Sequence, residues 1–179
     1  MQIEKTFIDG LLVLTPRVFK DKRGYFMESF NKEKVSTLIT CEFVQDNESL
    51  SGKGVLRGLH FQKPPFSQDK LVRVIKGSVL DVVVDLRKDS STYGKHFAIK
   101  LSAKNKKQLF VPKGFAHGFL TLKKNTLFSY KCSAYYNVAS EVGIDCFDEN
   151  LAIDWPIKNV KLSIKDENGL KFSSFESPF

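Results

Sequence analysis

Residues 68–94 read QDKLVRVIKGSVLDVVVDLRKDSSTYG, and their period-two rhythm decides the fold. Leu71–Ile75 and Ser78–Leu86 are strand-like runs interrupted only by Lys76 and Gly77, so the stretch predicts two strands joined by a tight turn. In the second run Ser78, Leu80, Val82, Val84 and Leu86 share one face, and Val79, Asp81, Val83 and Asp85 share the other. Either that second face meets solvent, or it is covered and the two carboxylates point at something polar. The same rhythm continues on both sides, through Ile3–Leu14, Tyr25–Phe30, Phe43–Glu48 and Val55–Phe61 before it. Phe97–Leu101, Gln108–Val111, Gly118–Leu122, Thr126–Tyr135 and Gly143–Phe147 follow it. Turn signals at Asp21–Gly24, Gly52–Gly54, Tyr93–Gly94, Lys113–Gly114 and Lys123–Asn125 punctuate the runs, and many short strands at this spacing give an all-β sandwich or barrel. One helix is expected over Lys32–Ile39, with Asn31 as its cap and Glu33 in its first turn. After Pro156 the chain is irregular, with short helices at most. A length of 179 residues without repeat or linker reads as a single domain, 1–179.

Composition narrows the function. Lys+Arg total 28 against 20 Asp+Glu, a net charge of +8. The Lys clusters at 104–107 and 123–124 sit in turn-like segments without interleaved aromatics, so the excess reads as a solvated surface and no nucleic-acid partner is expected. The three Cys are far apart and form no CxxC, which fits a reducing compartment and argues against a disulfide framework or structural zinc. No apolar run approaches the ~20 residues of a membrane span, so no membrane partner is expected. The N-terminal MQIEKTFIDG has no apolar h-region, and a cytoplasmic location is expected.

There are three His, of which His60 ends VLRGLHFQ (55–62) and His117 lies in VPKGFAHGF (111–119). The Pro-x-Gly-x-x-His of Pro112, Gly114 and His117 suits a turn that delivers a His into a barrel mouth, and it resembles the second motif of the cupin jelly rolls. Metal-binding cupins carry His-x-His with a downstream Glu in their first motif. Here that segment reads His60-Phe61-Gln62. Two His alone rarely hold a catalytic metal, so no metal is expected, and His60 is left for acid–base work near neutral pH. Arg57 and His60 are three apart and would face opposite ways in a regular strand. Gly58 between them permits a bulge that brings both to one side. The alternative is a surface Arg57 and a hydrogen-bonded core His60.

VLRGLHFQ, residues 68–94, QLFVPKGFAHGF (108–119), FSYKCSAYY (128–136) and LSIKD (162–166) together resemble the dTDP-4-dehydrorhamnose 3,5-epimerase family. VFKDKRGYFMES (18–29) and FVQDN (43–47) match as well. The resemblance implies a cupin-like double-sheet jelly roll with a few short helices, a homodimer, and no cofactor. It implies a nucleotide-diphospho-sugar substrate, a 4-keto-6-deoxyhexose inverted at C3 and C5 on the way to dTDP-L-rhamnose. By the same resemblance His60 is the general base, Asp166 its partner, Tyr130 the acid on the opposite face, and Lys70 the cation beside the keto oxygen. His117 and Asp81 would line the same cavity. Arg23, Gln45, Asp46, Asn47, Arg57, Glu141 and Lys165 would hold the substrate, with Glu28 near the base and Tyr136 stacked on it. An epimerase acting at one centre is the alternative. The chemistry needs these residue types. The C4 carbonyl acidifies the protons at C3 and C5, a cation stabilises the enolate, and inversion requires reprotonation from the far face by an acid such as a Tyr whose pKa a nearby cation holds down. Two features depart from the family pattern: Asp69, beside Lys70, where a small residue is usual, and a tail carrying Phe172, Phe175 and Phe179.

Overall fold

The computed structural model describes residues 1–179. Its strands are β1 (Gln2–Lys5), β2 (Leu12–Thr15), β3 (Val18–Asp21), β4 (Gly24–Met27), β5 (Gln45–Ser51), β6 (Leu56–Gln62), β7 (Lys70–Lys76), β8 (Ser78–Asp85), β9 (His96–Ser102), β10 (Gln108–Val111), β11 (Phe115–Thr121), β12 (Thr126–Cys132) and β13 (Glu141–Gly143). Two short helices, α1 (Lys32–Val35) and α2 (Ile164–Glu167), and a 3-10 turn at Phe172–Ser174 complete it. One sheet has the order β1-β2-β10-β7-β12-β5 and the other β13-β6-β11-β8-β9, every pairing antiparallel. The two stack as a jelly roll. β3 and β4 form a separate exposed hairpin.

Three apolar layers hold the sandwich. Between the sheets lie Val13, Val72, Val74, Val79, Val83, Leu109, Phe115, Phe119 and Phe128. A fully buried Val, Leu or Phe contributes about 1.5–3 kcal/mol relative to an exposed one. The outer face of the five-stranded sheet, with Leu56, Val82, Val84 and Leu120, is covered by the C-terminal segment, including Phe172, Phe175 and Phe179. Phe61 meets Phe175 and Phe179 edge-on at 5.5 and 5.8 Å, which accounts for the aromatic tail as a cover on that sheet. Val35 and Ile39 pack on Leu12, Leu14, Leu71 and Phe110 on the opposite outer face.

Several elements differ from the sequence expectation. Ile3–Leu14 is two strands, because Gly10 (φ +84°) turns the chain and Thr6 caps the loop through Ile8 N–H at 3.1 Å. The regular helix stops at Val35 instead of Ile39. Asn31 does cap it, accepting from Lys34 N–H at 3.2 Å, but Ser36 turns its hydroxyl back to Glu33 O. The third strand, Val18–Asp21, was not foreseen. The fifth begins at Gln45 instead of Phe43, in register with β12. The last strand is Glu141–Gly143, and the chain beyond it makes only isolated parallel bridges, from Lys161 to Val55 and from Leu170 to Ile144. Both faces of β8 are covered, and Asp81 and Asp85 are fully buried. Asp85 accepts from Arg87, Ser90 and Thr92, which fold the following turn onto it.

Candidate active site

Arg57 and His60 do reach one side of β6. His117 lies opposite His60 and Phe119 opposite Arg57, so β6 carries one extra residue there. Gly58 makes this possible. Its φ is +107°, and a Cβ there would lie 2.6 Å from His117 O and 2.7 Å from Gly118 Cα.

The result is a cavity of about 300 Å³ between the sheets, lined by Arg57, His60, Lys70, His117, Tyr130, Lys165 and Asp166 among others. A second lobe of about 250 Å³ shares His60, Lys70 and Tyr130 and adds Gln45, Asn47, Cys132, Tyr136 and Glu141. His60 and His117 come from the five-stranded sheet, and Lys70 and Tyr130 from the six-stranded sheet facing it. The two His and the Lys–Tyr pair therefore approach from opposite walls.

His60 Nε2 lies 2.6 Å from Asp166 Oδ1, a close polar contact without the alignment of a full hydrogen bond. Asp166 also accepts from Ser163 Oγ at 2.7 Å and Gly58 N–H at 3.3 Å. Burial pushes its carboxyl up, but these three contacts together outweigh that and bring it to about 2. A second buried pair joins His117 Nε2 and Asp81 Oδ1 at 2.9 Å. Asp81 Oδ2 has no partner, and burial pushes this carboxyl up by more than His117 and Lys70 pull it down.

Lys70 has no hydrogen-bond or ion-pair partner in the protein, and burial lowers its pKa against the opposing pull of Cys132, Glu141 and Asp81. Asp69 does not dampen it. The Asp69 carboxylate points away, accepting from Ser133 Oγ at 2.8 Å and Lys113 N–H at 3.1 Å, as the alternation of a strand edge requires. Tyr130 corrects the expectation of a lowered pKa. Burial raises it, and Arg57 offsets only part of the rise.

At the rim, Glu141 pairs with Lys165 and accepts from the Tyr136 hydroxyl at 2.6 Å. Gln45 accepts from Tyr136 N–H at 2.9 Å and donates to Asn47 at 3.1 Å. Arg57 is held only through Nε, which donates to Ser51 at 3.2 Å, so its terminal amino groups are free for a phosphate. Four expected residues do not line this cavity. Asp81 is fully buried and reaches it only through its bond to His117. Asp46 lies between Gln45 and Asn47, so the strand sends it to the outer face, where it pairs with Lys131 at 3.0 Å. Arg23 sits at the hairpin tip on Asp21, and Glu28 pairs with Lys34. Sequence reasoning missed Ser49, Ser163, Phe119 and Phe128, which also line the cavity. Ser163-Ile164-Lys165-Asp166 carried the S-x-x-D signal of a helix start and was legible as such. No group of three or more His, Cys, Asp or Glu converges as a metal ligand set.

The family described as dTDP-4-dehydrorhamnose 3,5-epimerase matches residues 5–174. The chain is 50% identical over 174 residues to a dTDP-4-dehydrorhamnose 3,5-epimerase of Shigella flexneri, covering 96% of each. It is similar to a crystal structure of dTDP-6-deoxy-D-glucose-3,5-epimerase from Legionella pneumophila in complex with dTDP-4-keto-L-rhamnose. The identity is 46%, the TM-score 0.94, and the coverage 98% of this chain and 94% of that one. A 3'-monoepimerase from Streptomyces bikiniensis in complex with dTDP-quinovose is also similar, at 30% identity and TM-score 0.89, covering 94% and 86%.

Proposed function

The chain belongs to the dTDP-4-dehydrorhamnose 3,5-epimerase family, and from that premise we propose that His60 and Tyr130 divide the proton transfers between the two faces of one sugar. The enzyme is an isomerase that inverts C3 and C5 of dTDP-4-keto-6-deoxyglucose in dTDP-L-rhamnose biosynthesis. The observation that carries the residue assignment is the cavity itself. His60 stands on one sheet with Asp166 of α2 held 2.6 Å from it, and Tyr130 with an unpartnered Lys70 stands on the facing sheet.

His60, polarised by ionised Asp166, takes the proton alpha to the C4 carbonyl. Lys70 faces the oxygen on which the enolate charge develops. Because it is desolvated and no protein anion satisfies it, its attraction is stronger for the enolate than for the ketone. Tyr130 stays protonated, since burial raises its pKa, and returns a proton from the other wall. His117, held by Asp81, lines the same cavity. Arg57 offers its fork to the diphosphate, and Gln45, Asn47, Tyr136 and Glu141, the last paired with Lys165, form the lobe toward the nucleotide.

A homodimer completes the reading. The β3–β4 hairpin stands apart as its own sheet and exposes Tyr25 and Phe26, the latter 66%. Arg23 and Glu28 lie on or just beyond it, outside their own chain's cavity, and a second copy would receive them in its cleft. The location we propose is the cytoplasm, supported by three unpaired cysteines. The test is turnover of dTDP-4-keto-6-deoxyglucose in deuterated water. Deuterium at both C3 and C5 of the product supports double epimerisation, and deuterium at one carbon alone replaces it with the single-centre reading.

A further inference from the structure

Ser163 opens α2, and its Oγ accepts from Asp166 N–H at 3.2 Å, as an N-cap does. It also donates to Asp166 Oδ2 at 2.7 Å. Capping requires only the first bond. The second places the hydroxyl's single proton on an ionised carboxylate, where a hydrogen bond is shorter and stronger than between neutral groups. The other oxygen, Oδ1, accepts from Gly58 N–H at 3.3 Å and faces His60 Nε2 at 2.6 Å. Each oxygen of Asp166 thus has its own donors, and the carboxylate cannot rotate without breaking the Ser163 bond. The segment itself is fixed on both sides, by parallel bridges from Lys161 to Val55 and from Leu170 to Ile144.

We propose that Ser163 is a positioning residue for the base. It locks Asp166 so that Oδ1 stays against His60 Nε2, which favours the ring tautomer with its proton on Nε2 and leaves the Nδ1 lone pair free to take the substrate proton. Nδ1 has no protein hydrogen-bond partner and, unlike Nε2, is not sealed among the buried atoms. Ser163 acts through Asp166 and does not itself exchange a proton with the sugar. The inference rests on the reading of His60 as the base.

Two readouts test it, one independent of catalysis. Nitrogen-15 NMR of the His60 ring should show the Nε2–H tautomer predominating in the unmodified enzyme and in Ser163→Thr, and a mixture of tautomers in Ser163→Ala. Kinetically, Ser163→Ala should lower kcat about tenfold with KM within about threefold, because a base acts in the transition state. Ser163→Thr, which keeps the hydroxyl, should restore most of the rate. In the Asp166→Asn background, Ser163→Ala should cost less than about twofold, since residues acting as a unit are not additive. An unmoved tautomer in Ser163→Ala, no rescue by threonine, or the same tenfold cost in the Asp166→Asn background overturns the proposal. The last of these would make Ser163 an independent substrate contact. If the tautomer shifts as expected but His60→Ala remains active, the base assignment fails and the positioning role stands.

Discussion

Replacing Asp166 by asparagine keeps the shape of the base's partner and removes its charge. An asparagine oxygen can still accept from His60 and Gly58, with the amide nitrogen toward Ser163, so the ring loses little of its orientation. The electrostatic loss can be worked from the carboxyl itself. It stands at about 2 against an ordinary 3.8 despite its burial. That difference is a preference for the charged form of about 1–2 kcal/mol after allowance for solvent screening. The attraction of the carboxylate for His60 grows as the ring takes the substrate proton, so most of the loss falls on the transition state. Asp166→Asn should therefore lower kcat by about 5–30-fold with KM within about threefold, against about 10²–10⁴-fold for His60→Ala. Both are read by product formation from dTDP-4-keto-6-deoxyglucose. A loss smaller than about threefold would mean that Asp166 carries no charge useful to the base. A loss equal to that of His60→Ala would mean that the carboxylate is indispensable to the base and does not merely tune it.

Lys70→Met should lower kcat by about 10²–10³-fold, the cost of removing one oxyanion-stabilising group. A raised KM with unchanged kcat would make Lys70 a ground-state binder. Asp69→Asn should leave kcat within about twofold and cost about 1 kcal/mol of stability, because its bonds go to Ser133 and Lys113 N–H; faster turnover would mean that it does reach Lys70. Asp85 and Asp166 both stand at about 2 against 3.8 unfolded. A lowered folded pKa stabilises above the unfolded value and loses that contribution as pH falls through the folded one. Denaturant midpoints should thus fall between about pH 4 and pH 2, with about 1–2 kcal/mol lost per group, and Asp85→Asn should flatten that slope while lowering stability above pH 4. An unchanged slope would place the acid sensitivity elsewhere.

The alternation in residues 71–86 was legible because both strands are dominated by apolar residues whose covering is the reason for the fold. β5 was misplaced because its inward residues, Gln45, Asn47, Ser49 and Ser51, are polar. The first three line a cleft and Ser51 holds Arg57, and a hydrophobic pattern does not register them. The same alternation explains Asp46. The FVQDN match suggests three neighbouring binding residues, but a strand turns only every second one inward. The bulge at Gly58 was readable from Arg-Gly-x-His, whereas the depth of burial that raises Tyr130 and lowers Lys70 depends on a facing sheet from distant sequence. Arg23 and Glu28 match the family pattern yet lie outside their own chain's cavity, because their hairpin projects from the sandwich and is not packed in it.

In the proposed reaction two groups on opposite walls handle the proton. Tyr130→Phe tests it most directly, since it keeps the ring that packs beside Phe128 at 6.1 Å and removes only the hydroxyl. In deuterated water the variant should still exchange the C3 and C5 protons of the substrate through His60, while inversion at both carbons falls well behind exchange. Inversion and exchange slowed equally, or both left intact, would contradict the assignment and place the acid on another group.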